Sequence, residues 1–300
     1  METLRTATWI AVDWGTSNLR VWAMAGAEVI ARAQSAQGMG RMTRDEFGPT
    51  LEALMVDLPV TPDTPAIACG MVGARQGWTE APYRTIPCTT QDKTLIRVPG
   101  TSRPVHIIPG LKQPSPADVM RGEETQIAGF LALNPGWDGV ICLPGTHSKW
   151  VHVSAGEVVS FQTFLTGELF ALLAGHSVLR HSLNGNESRD ADFDAAVSET
   201  LSRPEKLAAS LFAIRAGDLL NGTSGSANRA RLSGALIGAE LAAAKPYWLG
   251  QQIAIIGAAT QSALYARALQ SQGVPATVTD ADRMTLAGLT AAFRALKETI

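Results

Sequence analysis

Two short segments of this chain repeat one pattern, and the repetition constrains the fold more than any other feature. Ile10–Val21 reads IAVDWGTSNLRV and Val140–Val151 reads VICLPGTHSKWV, so each runs from a strand-like stretch through a Gly-Thr turn into a second such stretch. A tight turn containing glycine leaves backbone N–H groups unpaired near the surface, and a neighbouring hydroxyl adds a donor, so the turn can bind an anion. One such turn alone is equally well an ordinary hairpin. The matched pair, 130 residues apart, predicts two hairpins that hold one polyphosphate between two domains.

The remaining pattern predicts a mixed α/β chain of two domains. A single hydrophobic core stops growing efficiently at roughly 250–300 residues, and this chain has 300. The first helix carries a capping box, with Thr43 as N-cap and Glu46 three residues later. The Gly-, Pro- and Thr-rich stretch 70–110 is expected to contribute loops to a site. Strands are predicted in the runs 8–15, 18–24, 28–34, 66–69, 105–110, 139–153, 157–165 and 251–257. Helices are predicted at about 43–57 and 118–133, over most of 166–244, and near 260–271 and 282–297.

Composition narrows the class of partner. Apolar residues make up 46% of the chain and charged residues 17%, which is enough for the chain to fold throughout. The formal net charge is −2 with no long basic run, so a small molecule is expected as partner rather than nucleic acid or an anionic membrane. No signal-peptide pattern and no run of roughly 20 apolar residues occurs, so we expect a cytoplasmic protein. The few, widely spaced cysteines, Cys69, Cys88 and Cys142, favour reduced and buried thiols.

A third element follows the second hairpin in the chain. The apolar run Ile253–Gly257 passes through Ala258 and Ala259 directly into a helix that begins near Gln261. Small residues at this turn let a flat nucleotide base approach the backbone. Taken alone, the element is also a common strand-to-helix turn of α/β domains. Its position after the two hairpins makes it a candidate adenosine site.

The three elements together resemble those of a known superfamily. The DWGTSN of Asp13–Asn18 resembles the first phosphate motif of the actin, heat-shock ATPase and sugar kinase superfamily, LPGTHSK at 143–149 looks like the second, and IIGAATQSALYARAL looks like the adenosine motif. Within that superfamily the chain is similar to the 2-keto-3-deoxy-galactonokinase family, through DWGTSNLR, GMVGARQGW, MRGEETQIAGF and LPGTHSKW. The resemblance spans nearly the whole chain. It implies a two-domain actin-like ATPase fold, of the ribonuclease H-like type, with an ATP cleft between domain 1–134, completed by helix 282–300, and domain 135–281.

The resemblance also implies how ATP and Mg²⁺ are bound. Asp13 would hold Mg²⁺ through its water shell, and one carboxylate suffices because Mg²⁺ keeps most of its waters. Asp13 could instead cap a turn. Lys149 could be a solvated charge, because neighbouring residues along a strand point to opposite faces. The nucleotide contacts implied are Gly15, Thr16, Ser17, Gly145, Thr146, His147, Lys149, Gly257, Ala258 and Ala259.

Phosphoryl transfer to an alcohol needs a carboxylate that accepts the hydroxyl proton. In related sugar kinases a Gly-Asp-Gln-Gln turn opens the helix before the second phosphate hairpin, and GEETQ at 122–126 stands in the comparable place. Glu123 and Glu124 are therefore the candidate catalytic bases, and Asp118 is the reserve. The same acids are also explained by the preference of carboxylates for the first turn of a helix.

A keto-deoxy aldonate carries a carboxylate, which an arginine binds well through paired hydrogen bonds. Arg75 with Gln76, inside GMVGARQGW, is the first candidate, and Arg121 beside the candidate base is the second. Arg84 is also available, and each arginine is alternatively a solvated surface residue. The resemblance adds Asn18 to the substrate contacts, whereas Trp78 is interpreted as structural.

The predicted function is ATP-dependent phosphorylation of 2-keto-3-deoxy-galactonate at its terminal (C6) hydroxyl, in galactonate catabolism. Two alternatives stay open: a kinase of the same fold for another sugar acid or polyol, and a non-catalytic ATP-binding switch. The chain has no GxxxxGK[ST] P-loop, no strand that leads into GxGxxG, and no HExxH or CxxC zinc pattern. The sequence leaves open the choice between the galactonate and gluconate epimers, and between a monomer and a homodimer.

Overall fold

The computed structural model describes residues 5–90 and 94–298. Within it the chain forms two compact units. The first unit comprises Met1–Asp138, Val153–Ser160 and Ala281–Ile300, and the second comprises Gly139–His152 and Phe161–Asp280. The domain boundaries expected from the sequence stay a prediction, and the last two residues of the predicted helix 282–300 lie outside the described residues.

Strands and helices alternate along much of the chain. In chain order the strands are β1 (Trp9–Trp14), β2 (Leu19–Ala25), β3 (Glu28–Ser35), β4 (Ala66–Gly70), β5 (Arg84–Thr85), β6 (Cys88–Thr89), β7 (Ile96–Arg97), β8 (Val105–Ile107), β9 (Leu111–Gln113), β10 (Asp118–Met120), β11 (Gly139–Leu143), β12 (Ser148–Ser154), β13 (Glu157–Phe164), β14 (Ile253–Gly257) and β15 (Ala276–Asp280). The α-helices are α1 (Phe47–Leu54), α2 (Glu123–Leu133), α3 (Thr166–His176), α4 (Asp190–Ser202), α5 (Leu207–Asn221), α6 (Gly225–Ala243), α7 (Lys245–Trp248), α8 (Ala259–Gln270) and α9 (Ala281–Lys297). Short 3₁₀ turns cover Met39–Arg41, Arg44–Glu46, Met71–Gly73, Val178–Ser182 and Pro204–Lys206.

The main sheet of the first unit has the strand order β3-β2-β1-β4-β8-β7. Strand β4 pairs in parallel with both β1 and β8, whereas β2 and β3 are added antiparallel as a meander. The central strand β1 is almost entirely buried, as is usual for a strand covered on both faces. Trp9, on one of these faces, stacks on Phe293 of α9 with ring centroids 4.6 Å apart. A separate three-stranded sheet has the order β10-β9-β5.

Helices α2 and α9 cross with their backbones in contact. A methyl group added at Gly129 would overlap the carbonyl oxygen of Met284, and one added at Gly288 would overlap that of Thr125. Only glycine fits at such a crossing. The crossing sets Thr125, beside the candidate bases at the start of α2, against Gly288 of α9, and Gly129 in the middle of α2 against Met284 in the first turn of α9.

The second unit repeats the strand order of the first. Its sheet runs β15-β14-β11-β12-β13, and β14 pairs in parallel with both β11 and β15. The order β13-β12-β11-β14-β15 thus matches β3-β2-β1-β4-β8. The outer ends of β12 and β13, Val153–Ser160, belong to the first unit, where β13 pairs antiparallel with β6. The repeated turn pattern of the sequence therefore corresponds to a repeated sheet topology.

The sequence predictions and the structure differ mainly around residue 118. A helix was expected from Asp118, but Asp118–Met120 forms β10, which pairs with β9, and α2 begins only at Glu123. Gly122 lies between them at φ +109°, a conformation that breaks a regular helix. Strand β15 and the short strands β5, β6, β7 and β9 were not predicted. The Thr43–Glu46 capping box is confirmed, although a 3₁₀ turn precedes α1 there.

Of the three cysteines, Cys69 and Cys142 are buried and Cys88 is half-buried. Burial raises the pKa of the Cys69 and Cys142 thiols well above its usual value. Neither thiol is therefore reactive at neutral pH. In the part of the chain that the structure describes, every helix is too short or too polar to cross a bilayer.

Candidate active site

The first hairpin turn holds its backbone in place and leaves its side chains exposed. The Gly15 N–H donates to the Asn18 carbonyl at 2.9 Å. Met39 and Gly40 donate to the carbonyls of Gly15 and Thr16 at 3.0 and 2.9 Å. The side chains of the predicted phosphate-binding residues Thr16 and Ser17, and of Asn18, remain exposed. The turn is thus a supported loop with free hydroxyl donors.

Asp13, the predicted magnesium residue, lies one residue before the end of β1, beside this turn, and is ion-paired. Its partner is Arg20, which stands directly opposite it in the register of β1 and β2. Arg20 also pairs with Asp282 in the first turn of α9. Burial alone would lower the pKa of Arg20, but the two carboxylates outweigh it and the pKa is raised. Sequence reasoning missed Arg20, although the hairpin register alone places opposite charges across from each other.

Three chain segments meet at Asp13. Gly70 ends β4 at φ +90°, and a methyl group there would lie 2.7 Å from the Trp14 carbonyl oxygen and 3.4 Å from Asp13 Oδ1. A methyl group on Gly122 would lie 3.4 Å from Gly70 Cα. The carboxyl end of β4 therefore lies against that of β1 on one side and close to the Gly122 turn before α2 on the other. This contact brings Asp13 into one region with the candidate bases.

The two candidate bases have different surroundings. Glu124 is 1% exposed, and its Oε2 accepts a hydrogen bond from the Gly122 N–H at 2.6 Å. Burial, together with the neighbouring charge of Glu123, raises the pKa of Glu124 to about 8. Glu123 is partly exposed and accepts from the Arg121 N–H at 3.1 Å. The reserve candidate, Asp118, lies before the helix on β10.

The raised pKa of Glu124 predicts a specific pH dependence of stability. The pKa of Glu124 in the folded chain, about 8, exceeds its ordinary value of 4.5. The contribution of this carboxyl to folding stability is therefore complete below pH 4.5 and is lost as the pH rises through 8. The wild-type chain should therefore lose stability relative to Glu124→Gln across this window, by on the order of 1 kcal/mol per pH unit. Urea unfolding of both proteins at several pH values measures the difference. Parallel stability curves would show that Glu124 does not titrate in this way.

The arginines predicted to bind a carboxylate are placed differently. The Arg75 side chain is 82% exposed and lies 3.6 Å from Glu80 through its Nε, and Gln76 beside it is exposed. Arg121 is buried, donates from Nη2 to the Ala81 carbonyl at 2.8 Å, and stacks on Tyr83 at 4.2 Å.

Nε and Nη1 of Arg121 have no hydrogen-bond partner within the described ranges 5–90 and 94–298. Arg121 directly precedes the two candidate bases in the chain. Of the arginines predicted to bind a carboxylate, Arg121 therefore lies next to the candidate bases and has two donor nitrogens that make no hydrogen bond among the described residues. Trp78 packs on Phe47 and Trp14, as its structural interpretation predicted.

The second hairpin turn is braced by the start of α3. Glu168 donates its N–H to the Thr146 carbonyl at 2.8 Å, and its carboxylate lies 2.6 Å from His147 Nε2. A methyl group on Gly167 would overlap the Gly145 carbonyl oxygen. Thr146 and His147 remain exposed. Lys149, also predicted to contact phosphate, is instead 4% exposed and donates to Thr163 Oγ1 at 2.9 Å, so it does not lie with the exposed side chains of the turn.

A buried carboxylate lies behind the second hairpin. Glu240 of α6 is 3% exposed and accepts hydrogen bonds from Ser148 Oγ at 2.6 Å, Trp150 Nε1 at 2.8 Å and Tyr265 Oη at 2.7 Å. Burial and the charge of Glu240 raise the pKa of Tyr265 well above its usual value. Glu240 thus joins β12, α6 and α8. One sequence signal indicates this residue, an isolated acid within an otherwise apolar stretch of helix.

The second unit also has an open cavity of about 470 Å³. Its lining includes Gly145, Phe170, Arg229, Ser233, Gln261 and Tyr265. Gly257, at the end of β14, abuts Pro144, because a methyl group there would lie 3.0 Å from Pro144 Cγ. Ala258 and Ala259 are exposed, and Thr260 and Gln261 follow them into the cavity wall. The predicted adenosine turn and the second hairpin therefore border one cavity, whose volume suits a nucleoside.

A dedicated metal site is absent from residues 5–90 and 94–298, which hold no cluster of three or more acidic, histidine or cysteine side chains that could bind an ion. Mg²⁺ binds in many enzymes through one or two carboxylates together with substrate phosphates and waters. Asp13 is the carboxylate at the first hairpin that could take this part, with 17% of its side chain exposed.

Comparison with known proteins identifies the family. The model of the 2-keto-3-deoxy-galactonokinase family matches residues 13–292. A probable 2-dehydro-3-deoxygalactonokinase from Rhizobium meliloti is 40% identical over 95% of this chain and 96% of its own length. The 2-dehydro-3-deoxygalactonokinase of Escherichia coli is 34% identical over 95% of this chain and 97% of its own length.

Solved structures confirm the predicted actin-like ATPase fold. A structure assigned to a 2-dehydro-3-deoxygalactonokinase from Sinorhizobium meliloti is 39% identical and superposes with a TM-score of 0.91, covering 96% of this chain and 99% of the other. Component A of the (R)-2-hydroxyglutaryl-CoA dehydratase of Acidaminococcus fermentans, only 14% identical, shares the fold at a TM-score of 0.55 over 98% of this chain and 99% of its own. The resemblance read from the four motifs is therefore confirmed, and the chain belongs to the 2-keto-3-deoxy-galactonokinase family of carbohydrate kinases.

Proposed function

We propose that this chain transfers the γ-phosphoryl group of ATP to the terminal (C6) hydroxyl of 2-keto-3-deoxy-galactonate, which yields the 6-phosphate and ADP in galactonate catabolism. The observation that carries the proposal is the family match over residues 13–292. It is supported by relatives of that name that align over nearly the whole chain. The alternatives from the sequence, another acid or polyol and a non-catalytic switch, are outcomes of the test below.

The nucleotide would be held by the elements that border the cavity. The cavity of the second unit would take the adenosine, close to Ala258 and Ala259, and the exposed Thr146 and His147 would donate to phosphate oxygens. Thr16 and Ser17 offer matching donors on the first hairpin. Mg²⁺, when bound with ATP, would neutralise charge on the β- and γ-phosphates. Asp13 would hold it, and Arg20 could then keep its second partner, Asp282.

The proton acceptor is assigned to Glu123. A general base must reach the substrate hydroxyl and be ionised before it reacts. Glu123 is partly exposed, whereas Glu124 is buried, hydrogen-bonded to the Gly122 N–H and neutral for the most part at pH 7. Glu124 would then act as a positioning residue that fixes the Gly122 turn and, through it, Glu123.

The carboxylate of the substrate is assigned to Arg121. Its guanidinium is fixed by stacking on Tyr83 and by the bond to Ala81, which leaves Nε and Nη1 as spare donors. A buried guanidinium with spare donors favours an anionic ligand, because an unpaired charge in a low dielectric is costly. Arg75 is well solvated and lies near Glu80, so it has less reason to bind substrate.

Measurement of ADP release in a coupled assay tests the proposal. With ATP and Mg²⁺ we expect turnover on 2-keto-3-deoxy-galactonate, a weaker response to its gluconate epimer, and none on neutral sugars. Arg121→Met should raise KM for the acid about tenfold or more, since a charge-assisted pair contributes roughly 1.5–3 kcal/mol. Arg75→Met is the matched control and should leave KM unchanged.

Each other outcome has a definite meaning. Turnover only on a different acid or polyol would keep the kinase chemistry and discard the substrate. ATP binding without turnover on any acceptor would support the switch. An unchanged KM in Arg121→Met, with normal activity on the galactonate acid, would remove the arginine assignment alone.

A further inference from the structure

Helices α3 and α5 consist mostly of apolar residues. Their sequences are TGELFALLAGH and LAASLFAIRAGDLLN, in which the charged residues are Glu168, Arg215 and Asp218. A helix of this composition is normally enclosed on all sides. Here α3 has no buried residue, and in α5 only Ile214 is buried. The composition and the exposure of the two helices therefore disagree.

We name the exposed apolar side chains of α3 and α5, together with the adjoining Leu165 and Val178, the α3–α5 face. Both helices rest on the same small core of Leu179, Leu183 and Ile214, so their outer sides cover one region of the second unit. The face consists of Leu165 (52% exposed), Leu169 (42%), Leu172 (47%), Val178 (58%), Phe212 (66%), Leu219 (66%) and Leu220 (82%). These seven account for half of the large apolar residues that are exposed among the described residues.

The area of the α3–α5 face matches that of a stable protein interface. With about 150–200 Å² for each fully exposed side chain of this size, the seven exposures amount to roughly 700 Å². The largest apolar patch on a typical monomer is about 300–600 Å². A standard interface buries about 800 Å² on each partner. The face is therefore larger than a monomer normally leaves in water and large enough for one partner.

The charges of the two helices indicate which kind of partner the face fits. Arg215 Nη1 lies 2.9 Å from Asp218 Oδ2, and Glu168 is bonded to His147, so each charge of the two helices already has a partner. A membrane-binding helix would add lysines and arginines along its polar side, and these helices have one, Arg215. A two-fold interface places a surface against its own copy, which an apolar surface with internally paired charges tolerates. We infer that the α3–α5 face is the contact surface of a homodimer of this chain.

Pairing through this face would also fix one wall of the cavity. Gly167 and Phe170 of α3 line the cavity, and Phe170 lies under the Arg229 guanidinium at 5.0 Å. Glu168 braces the second hairpin turn. A partner copy that packs on the outer side of α3 would restrict the motion of these inner contacts. The inference itself rests on the exposed face and holds whatever the substrate is.

Sedimentation velocity of the full chain tests the inference. At micromolar concentration we expect twice the monomer mass of 31.7 kDa. The double variant Phe212→Glu, Leu219→Glu should sediment as a monomer, because it places like charges in an apolar contact. Val56→Glu and Leu249→Glu are matched controls, since both residues are exposed (78% and 58%) and lie outside the face. Both controls should remain dimeric.

Hydrogen exchange provides a readout that needs no variant. Peptides covering 165–180 and 207–221 of the wild-type chain should exchange more slowly at high than at low protein concentration. The inference is overturned if the wild-type chain is a monomer throughout the micromolar range. A monomer that instead binds anionic vesicles in a flotation assay overturns it as well. A dimer that the double variant leaves intact, without concentration-dependent protection of these peptides, overturns it equally.

Discussion

Replacement of Glu123 by Gln is expected to lower kcat about 10²–10⁴-fold, the range that general-base catalysis contributes. Gln keeps the shape of Glu123 and can still accept the Arg121 N–H hydrogen bond, but it cannot take a proton from the substrate hydroxyl. ATP affinity should stay unchanged, because the nucleotide contacts that we propose lie elsewhere in the chain. Steady-state kinetics gives kcat, and calorimetry with a non-hydrolysable ATP analogue gives the nucleotide affinity.

Glu124→Gln is the matched comparison, one residue away on the same helix turn. An amide oxygen can still accept the Gly122 N–H, and a neutral amide resembles the neutral carboxyl that a pKa of about 8 implies at pH 7. We therefore expect a loss of at most about tenfold. A severe loss in Glu124→Gln with near-normal turnover in Glu123→Gln would transfer the role of base to Glu124. Near-normal turnover in both would leave Asp118 as the candidate.

The parts of the fold that follow from local chemistry could be predicted from the sequence. A strand, a Gly-Thr turn and a second strand are determined within about a dozen residues, so both hairpins were found, as was the strand that precedes Ala258. The capping box at Thr43 depends only on residues three apart. The family followed from four motifs because each combines turn geometry with specific polar residues.

Features that depend on distant partners could not be predicted. Arg20 pairs with Asp282, 262 residues later in the chain, and no local pattern indicates such a pair. Asp118–Met120 is a strand because β9 is available to pair with it. Strand alternation alone allows Lys149 to be either exposed or buried. In the fold Lys149 is buried, and its ammonium group donates to the hydroxyl of Thr163. The burial that separates Glu123 from Glu124 is likewise a tertiary effect.

Glu240→Ala is expected to destabilise the second unit by about 3–5 kcal/mol, because removal of one member of a buried, charged network leaves the others unsatisfied. Ser148 Oγ, Trp150 Nε1 and Tyr265 Oη all donate to this one carboxylate. The indole N–H of Trp150 is a donor only, so neither hydroxyl can donate to it in place of the lost carboxylate. Urea unfolding followed by tryptophan fluorescence measures the loss, since Trp150 lies within the network.

Three further variants separate the network from a general effect of mutation. Glu199→Ala changes an exposed glutamate of α4 in the same unit and should stay within about 0.5 kcal/mol of wild type. Glu240→Gln keeps the volume and one acceptor and should lie between Glu240→Ala and wild type. Ser148→Ala in the Glu240→Ala background should cost less than Ser148→Ala alone, because its acceptor is already gone. If the costs of Ser148→Ala and Glu240→Ala instead add, the two side chains act independently.

The same variants show whether Glu240 positions the nucleotide site. The network joins β12, which follows the second hairpin, to Tyr265, which lines the cavity. If the carboxylate holds these two elements in register, Glu240→Gln should raise KM for ATP while KM for the sugar acid stays constant, at a temperature where the variant is fully folded. An equal rise in both KM values, or none in either, would reduce Glu240 to a stabilising residue. A selective rise for ATP would place a positioning residue of the kinase site deep in the core, where it touches no substrate.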